Sequence, residues 1–284
     1  MKYNCMLFSF LICIIQLPVI STAQQLSCCS NPKSNNSMVA FANDPAFISA
    51  HESPLPFKYS EQGGQIISFA TADGRNAYAY FVKAASPTNN YLFVFHEWWG
   101  LNDYIKQRAD ELQKLIGNVN VIALDIYDGR VTSNADSAGF FMSQLKDVRI
   151  ENIINGAITY AGKNAKIGTI GWCFGGGLSL KATSLAGKQA VGCVMYYGMP
   201  ITDVNKLNEL NCDVFGIFGT KDKWISPEVV AQFEKDMKSA GKILTVKSYD
   251  ADHAFANPSN PHYDKVASLD ANTLALAFLM QHFK

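Results

Sequence analysis

From Gln65 onward the chain alternates short apolar runs with longer amphipathic stretches, and this alternation constrains its fold more than any other feature. QIISFAT and NAYAYFVK flank the turn signal ADGRN and predict a β-hairpin. YLFVFH, NVNVIALD, KIGTIGW, AVGCVMYYG, CDVFGIFGT and ILTVKSY then read as strands. The helix-like stretches are DYIKQRADELQKLIG, SAGFFMSQL, IENIINGAITYAG, GLSLKATSLAG, SPEVVAQFEKDMKSAG and SLDANTLALAFLMQHF. In the first of them Ile105, Ala109, Leu112, Leu115 and Ile116 recur at helical spacing, and Gly117 ends the pattern. An antiparallel start followed by repeated strand–helix units predicts an α/β fold: a mostly parallel, twisted sheet of about eight strands with helices on both faces.

Composition excludes several function classes. A chain of 284 residues that is 48% hydrophobic and 17% charged is globular, not disordered or a disulfide-dense miniature. Lys plus Arg and Asp plus Glu are both 24, and no basic cluster stands out, so nucleic acid is not an expected partner. No GxGxxG or GxxxxGK[ST] follows a strand, which leaves nucleotide binding without support. The five histidines show no HExxH or paired-ligand spacing, so no metal and no organic cofactor is expected.

The N-terminus departs from this pattern. Lys2, an apolar run from Cys5 to Ile20, and the small residues Ser21 and Ala23 read as a secretory signal peptide over residues 1–23, cut near Ala23. An uncleaved anchor is the alternative, but later segments are too short or too polar to span a bilayer. The expectation is an exported protein, periplasmic or extracellular, and monomeric. Residues 24–64, rich in Ser, Asn and Pro, read as an extended N-terminal arm, and residues 65–284 as one domain. With Cys5 and Cys13 lost in the signal, Cys28, Cys29, Cys173, Cys193 and Cys212 remain, and an odd number implies a free thiol. Cys193 and Cys212 read as core residues. The adjacent Cys28 and Cys29 could carry a lipid, form a vicinal disulfide or do neither.

Open α/β sheets bind ligands at the carboxyl ends of their strands, so the residues that follow each strand carry the functional reading. KIGTIGW leads into Cys173, inside G-x-C-x-G-G, the pattern of a nucleophile elbow that lifts one side chain above the sheet. Gly171, Gly175 and Gly176 suit a turn packed too closely for a Cβ. The helix beginning beyond Cys173 favours thiolate over thiol. The amides of Phe174 and Trp98 are the candidate oxyanion donors. Asp222 follows CDVFGIFGT and His253 follows ILTVKSY, in the order nucleophile, acid, histidine. His253 would move the proton and Asp222 would hold its tautomer. Glu97, in a Trp-flanked apolar turn, needs a partner to be tolerated there; a helix cap or salt bridge is the bland account. Trp98, Trp224 and Tyr197 read as lining of an aromatic pocket.

FHEWWGLN, ALDIYDGR, GWCFGGG, MYYGMP, GTKDKWISP and DADHAFANP together carry a family resemblance. From about Gln65 to Lys284 the chain resembles the dienelactone hydrolase family of α/β-hydrolases. That resemblance implies an α/β-hydrolase fold and a triad of Cys173 as nucleophile, His253 as base and Asp222 as its partner. It also implies that Glu97 modulates the resting thiol and that Arg130 binds a substrate carboxylate. Where the family has a serine and an arginine after the histidine, this chain has Ala254 and Asn257, so Asn257 takes the place of one substrate anchor. The expected activity is cleavage of an ester or lactone through a cysteine thiolate and an acyl-thioester. A general carboxylesterase or thioesterase on small acyl substrates is the alternative. In another class stand a non-catalytic binding protein and a thiol redox protein, the latter disfavoured by the absence of CxxC.

Overall fold

Eight strands form one sheet in the order β1-β2-β4-β3-β5-β6-β7-β8. They are β1 (Gln65–Ala70), β2 (Asn76–Val82), β3 (Asn90–Phe95), β4 (Asn120–Leu124), β5 (Lys166–Trp172), β6 (Ala190–Tyr196), β7 (Val214–Gly219) and β8 (Leu244–Tyr249). β1 and β2 form the antiparallel hairpin, β2 meets β4 antiparallel, and the remaining neighbours run parallel. The expected sheet is therefore present. This computed structural model describes Met1 and residues 38–284, so most of the signal-peptide reading, with Cys28 and Cys29, falls outside the described residues.

Burial follows strand position. β4 and β7 are buried at every residue and β5 at all but its first, as continuous apolar runs covered on both faces require. The outer strands β1 and β8 keep exposed positions. The helices are α1 (Pro45–Ala50), α2 (Asp103–Ile116), α3 (Ala135–Ser143), α4 (Asp147–Ala161), α5 (Phe174–Ala186), α6 (Val204–Asn208), α7 (Pro227–Ser239) and α8 (Lys265–His282). Successive residues of β5 show how two of them are placed. A Cβ on Gly168 would strike Phe283 and touch Leu279, at the end of α8, whereas Thr169 bonds Thr183 of α5 at 2.7 Å. Adjacent strand residues point to opposite faces, so α8 and α5 cover opposite sides of the sheet. Among the described residues no helix is long and apolar enough to cross a membrane.

The N-terminal arm is the main difference from expectation. Residues 38–51 are not extended: Met38–Phe41 make a 3-10 turn and α1 follows. Asp44 caps α1, accepting from the Ala46 amide at 2.8 Å, and Pro45 stands at its first position. Met38, Ala42 and Phe47 are each no more than 1% exposed, so the segment belongs to the core. Farther on, the buried Asp110 of α2 accepts from Tyr59 Oη at 2.8 Å and from the Gly63 amide at 2.9 Å, which ties residues 59–63 to the domain.

Candidate active site

The β5–α5 turn is built around Cys173. Its backbone is left-handed, with φ 54° and ψ −117°, a conformation that strains any residue with a Cβ. The surroundings enforce it. A Cβ on Gly171 would run into the Gly175 carbonyl, and one on Gly175 into the Phe95 carbonyl. The Cys173 amide donates to the Tyr196 carbonyl at 3.0 Å, pinning the turn to β6. Among the described residues, four non-glycine residues have positive φ: Asp128, Cys173, Tyr197 and Ala254. Cys173, Tyr197 and Ala254 follow β5, follow β6 and adjoin His253, so strain concentrates at one end of the sheet.

The three residues expected to act together are together. His253 Nδ1 lies 2.6 Å from Asp222 Oδ2, with the Asp222 side chain fully buried and that of His253 nearly so. Asp222 Oδ1 accepts from the amides of Trp224 and Ile225, each at 2.9 Å, which fixes the carboxylate. A ring nitrogen of His253 lies within 4.8 Å of Cys173 Sγ. Burial works against a charged His253, but Asp222 and then the Cys173 sulfur hold its pKa well above the usual histidine range. For Asp222, burial is outweighed by His253 and the two amides, and its pKa falls.

Cys173 itself departs from the simplest reading of a helix N-terminus. Burial pushes its thiol upward; His253 and the Phe174 amide pull the other way, and Glu97 adds to the rise.

Glu97 is 6% exposed, and its pKa is pushed up to about 7, first by burial, against opposing contributions from His253, Tyr197 and Asn257. The Tyr197 hydroxyl donates to Oε1 at 3.4 Å, and the Asn257 side-chain amide donates to Oε2. Among the described residues no cap or salt bridge holds it. Just before it, His96 bridges two loops: its Nδ1 is 2.5 Å from the Glu97 carbonyl and its Nε2 accepts the Ile126 amide at 3.2 Å.

The anchor residues fare differently. Asn257 donates its side-chain amide to Glu97, and its Oδ1 accepts from the Ser259 amide and hydroxyl. Arg130 donates through Nε to the Tyr127 carbonyl and lies over the Phe141 ring, 4.8 Å from its centroid. It is not among the residues lining the cavity at Cys173. Trp98 and Tyr197 are fully buried, and Trp224 packs edge-on against His253 with ring centroids 5.8 Å apart.

His51, at the end of α1, was not anticipated. It is 8% exposed, packs edge-on against Trp98 at 4.5 Å between centroids, and has a ring nitrogen within 4.8 Å of both Cys173 Sγ and the His253 ring nitrogen. Burial and then His253 drive its pKa down to about 3, so it is neutral. Phe47 packs edge-on against both Trp98 and Trp224 at 5.3 Å, closing the same end. The sequence signal was Asp44-Pro45, a helix start that marks the arm as structured.

Consequently the sulfur is sealed. Cys173 is 1% exposed, and the cavity it lines with His51, Glu97, Trp98 and Asn257 holds only about 10 Å³. Two larger hollows flank it. One of about 290 Å³ reaches Glu97 and Asn257, and another of about 220 Å³ reaches His51, Trp224 and His253.

Comparison with known proteins agrees with this geometry. Residues 77–283 match the family described as Dienelactone hydrolase family. Carboxymethylenebutenolidase 1 of Cupriavidus pinatubonensis (strain JMP 134 / LMG 1197) is 24% identical over 231 residues, covering 75% of this chain and 95% of that protein. Protein usf of Aquifex pyrophilus is 28% identical over 205 residues, 67% of this chain and 87% of its own length. Among solved structures, a dienelactone hydrolase-like promiscuous phosphotriesterase from metagenomic libraries superposes with a TM-score of 0.65 at 19% identity, covering 78% of this chain and all of its own. An esterase of Pyrococcus furiosus superposes at 0.61 and 14% identity, over 82% of this chain and all of its own. At those identities the structures speak for the α/β-hydrolase fold.

Proposed function

The chain belongs to the dienelactone hydrolase family and is a carboxylic ester hydrolase, and from that premise we propose that it cleaves a small ester or lactone through Cys173. The observation that carries the proposal is the Asp222–His253 contact of 2.6 Å with Cys173 Sγ beside the same ring. In the first half-reaction the thiol proton passes to His253 and the sulfur attacks the carbonyl carbon. The oxygen's developing charge is met by the Phe174 and Trp98 amides, and His253 returns the proton to the leaving alkoxide. Water, deprotonated by His253, then hydrolyses the acyl-thioester. Asp222 steadies the imidazolium throughout.

Glu97 belongs to the switch between resting thiol and attacking thiolate. As an anion it disfavours a second negative charge on sulfur, consistent with its upward contribution to the Cys173 pKa. The sealed cavity adds that substrate has to part the wall formed by His51 and its neighbours before reaching the sulfur.

A panel of p-nitrophenyl acetate, p-nitrophenyl butyrate and a γ-lactone tests the proposal, with intact-mass detection of the acyl adduct. Turnover with an adduct mapped to Cys173 is expected, and the Cys173→Ala variant should lose at least about 10³-fold in kcat. Ester turnover surviving in Cys173→Ala would sink the cysteine mechanism. The lactone-to-ester ratio separates a lactonase from a general esterase. We further take the enzyme to be exported, on the apolar run Cys5–Ile20 and the small residues after it. N-terminal sequencing of the secreted protein should begin after Ala23.

A further inference from the structure

Among the described residues, four buried side-chain polar atoms lack a hydrogen-bond partner: His51 Nε2, Trp98 Nε1, Tyr127 Oη and His253 Nε2. Their residues gather at Cys173. His51 and Trp98 line its cavity, His253 lies within reach of the sulfur, and Tyr127 stacks on Phe174, the next residue along, with ring centroids 5.9 Å apart. Buried polar atoms are normally satisfied, and such a concentration at one point asks for a ligand.

The hydrogen bonds at the other side of each ring define what is missing. His51 Nδ1 is 2.7 Å from the Phe47 carbonyl, which can only accept, so Nδ1 carries the proton and Nε2 presents a bare lone pair. His253 Nδ1 donates in the same way to Asp222, at 2.6 Å. The sulfur and a ring nitrogen of each histidine thus face one another at close range, and neither Nε2 has a hydrogen-bond partner. A ring held through Nδ1 by a carboxylate or a backbone carbonyl, with Nε2 turned inward, is the supporting arrangement of a metal-ligating histidine. Here it occurs twice, around a thiol.

The geometry points to a site for a thiophilic divalent cation of the Zn²⁺ type, held by Cys173 Sγ and the inward ring nitrogens of His51 and His253. One sulfur and two imidazoles suit zinc with a fourth, open position. The three ligand atoms lie within 4.8 Å of one another, and tetrahedral Zn–S and Zn–N bonds require separations of roughly 3.3–3.6 Å. Binding requires rotation of the side chains, with a small inward shift at the end of the short α1, to close that gap. The cavity of about 10 Å³ is the size of an ion or one water, far below that of an ester. On binding, the thiol proton leaves to solvent, a Zn–S bond forms, and nothing is oxidised or reduced. The spacing of positions 51, 173 and 253 along the chain hid this set from sequence inspection.

Because the ion takes the sulfur and the base at once, it competes with ester hydrolysis and clamps α1 over the site. The site shares Cys173 and His253 with the proposed mechanism but fails or stands separately, since metal binding is measured without substrate and acyl trapping without metal.

The test is titration of metal-free full-length protein with Zn²⁺ against a chromophoric chelator, and with Co²⁺ followed by absorbance. One equivalent should bind, the Co²⁺ form should show a sulfur-to-metal charge-transfer band, and Zn²⁺ should suppress esterase turnover until a chelator restores it. Cys173→Ser and His51→Gln should each weaken binding at least about tenfold, and Cys173→Ser should lose the band. Circular dichroism confirms that each variant is folded, and wild-type Co²⁺ absorbance tests the sulfur ligand without any variant. An ion bound as tightly by His51→Gln, retained in Cys173→Ser at Cys28 and Cys29, or bound without the sulfur band would overturn the site.

Discussion

Asn257 donates its side-chain amide to Glu97 across 160 positions of sequence, at the place where the family resemblance implied a substrate-binding arginine. The pair turns a residue read as an anchor into the partner of a buried acid. Tyr197 supplies the second bond, at 3.4 Å. Glu97 still keeps its proton to about pH 7, because burial dominates.

This raised pKa makes stability depend on pH with a definite sign. Between the ordinary value of 4.5 and about 7 the folded protein holds a proton that the unfolded chain has lost, so stability falls as pH rises through that window. It levels off above about 7. Relative to Glu97→Gln, which cannot ionise, the wild type should lose on the order of 3 kcal/mol across it. Urea unfolding at a series of pH values measures the difference, and parallel curves for the two proteins would refute it. Glu97→Gln should also lower the pKa of the Cys173 thiol, read from the pH dependence of its alkylation.

Asp222 holds His253 through Oδ2 while its other oxygen is held by two amides, so Asp222→Asn should leave the fold intact and misdirect the imidazole. We expect kcat to fall roughly 10²- to 10⁴-fold with KM little changed. A loss below tenfold would show that the carboxylate does not orient the base.

Phe47 fills the space between Trp98 and Trp224 and is fully buried. Truncation to alanine removes contacts worth about 3–5 kcal/mol in a typical core and should let α1 open locally. Alkylation of Cys173 by iodoacetamide should then accelerate at least about tenfold. An unchanged rate would mean that α1 does not gate the sulfur.

Gly171 tests the elbow. Its Cβ would collide with the Gly175 carbonyl, which is backbone and cannot step aside. Gly171→Ala should therefore destabilise by on the order of 4 kcal/mol or more, lowering soluble yield and Tm. A variant that melts with the wild type would show that the turn is looser than this packing.

Much of the architecture was legible because it is local. Alternating apolar runs and helical spacing announce themselves over windows of a dozen residues, and all eight strands follow them. The elbow is equally local: only glycine tolerates the approaches at 171 and 175, so its spacing exposes the turn. Asp222 and His253 could be read from their places after β7 and β8.

The rest depended on distances that no window spans. The arm looked irregular by composition, yet Asp44 and Pro45 start a helix whose Phe47, with the capping His51, finds burial against Trp98, Trp224 and His253. Arg130 shares a loop with the site but turns to Tyr127 and Phe141, and composition cannot foresee that choice. The sequence by itself determined the order of strands and helices, the strained turn at Cys173 and the residue types at strand ends, since these rest on backbone sterics and short-range periodicity. Tertiary structure alone decided that Glu97 is partnered by Asn257, that the sulfur is sealed, and that a second histidine stands over it. Those outcomes come from packing between segments far apart in the chain, where burial sets which polar atoms are paired and which are left bare.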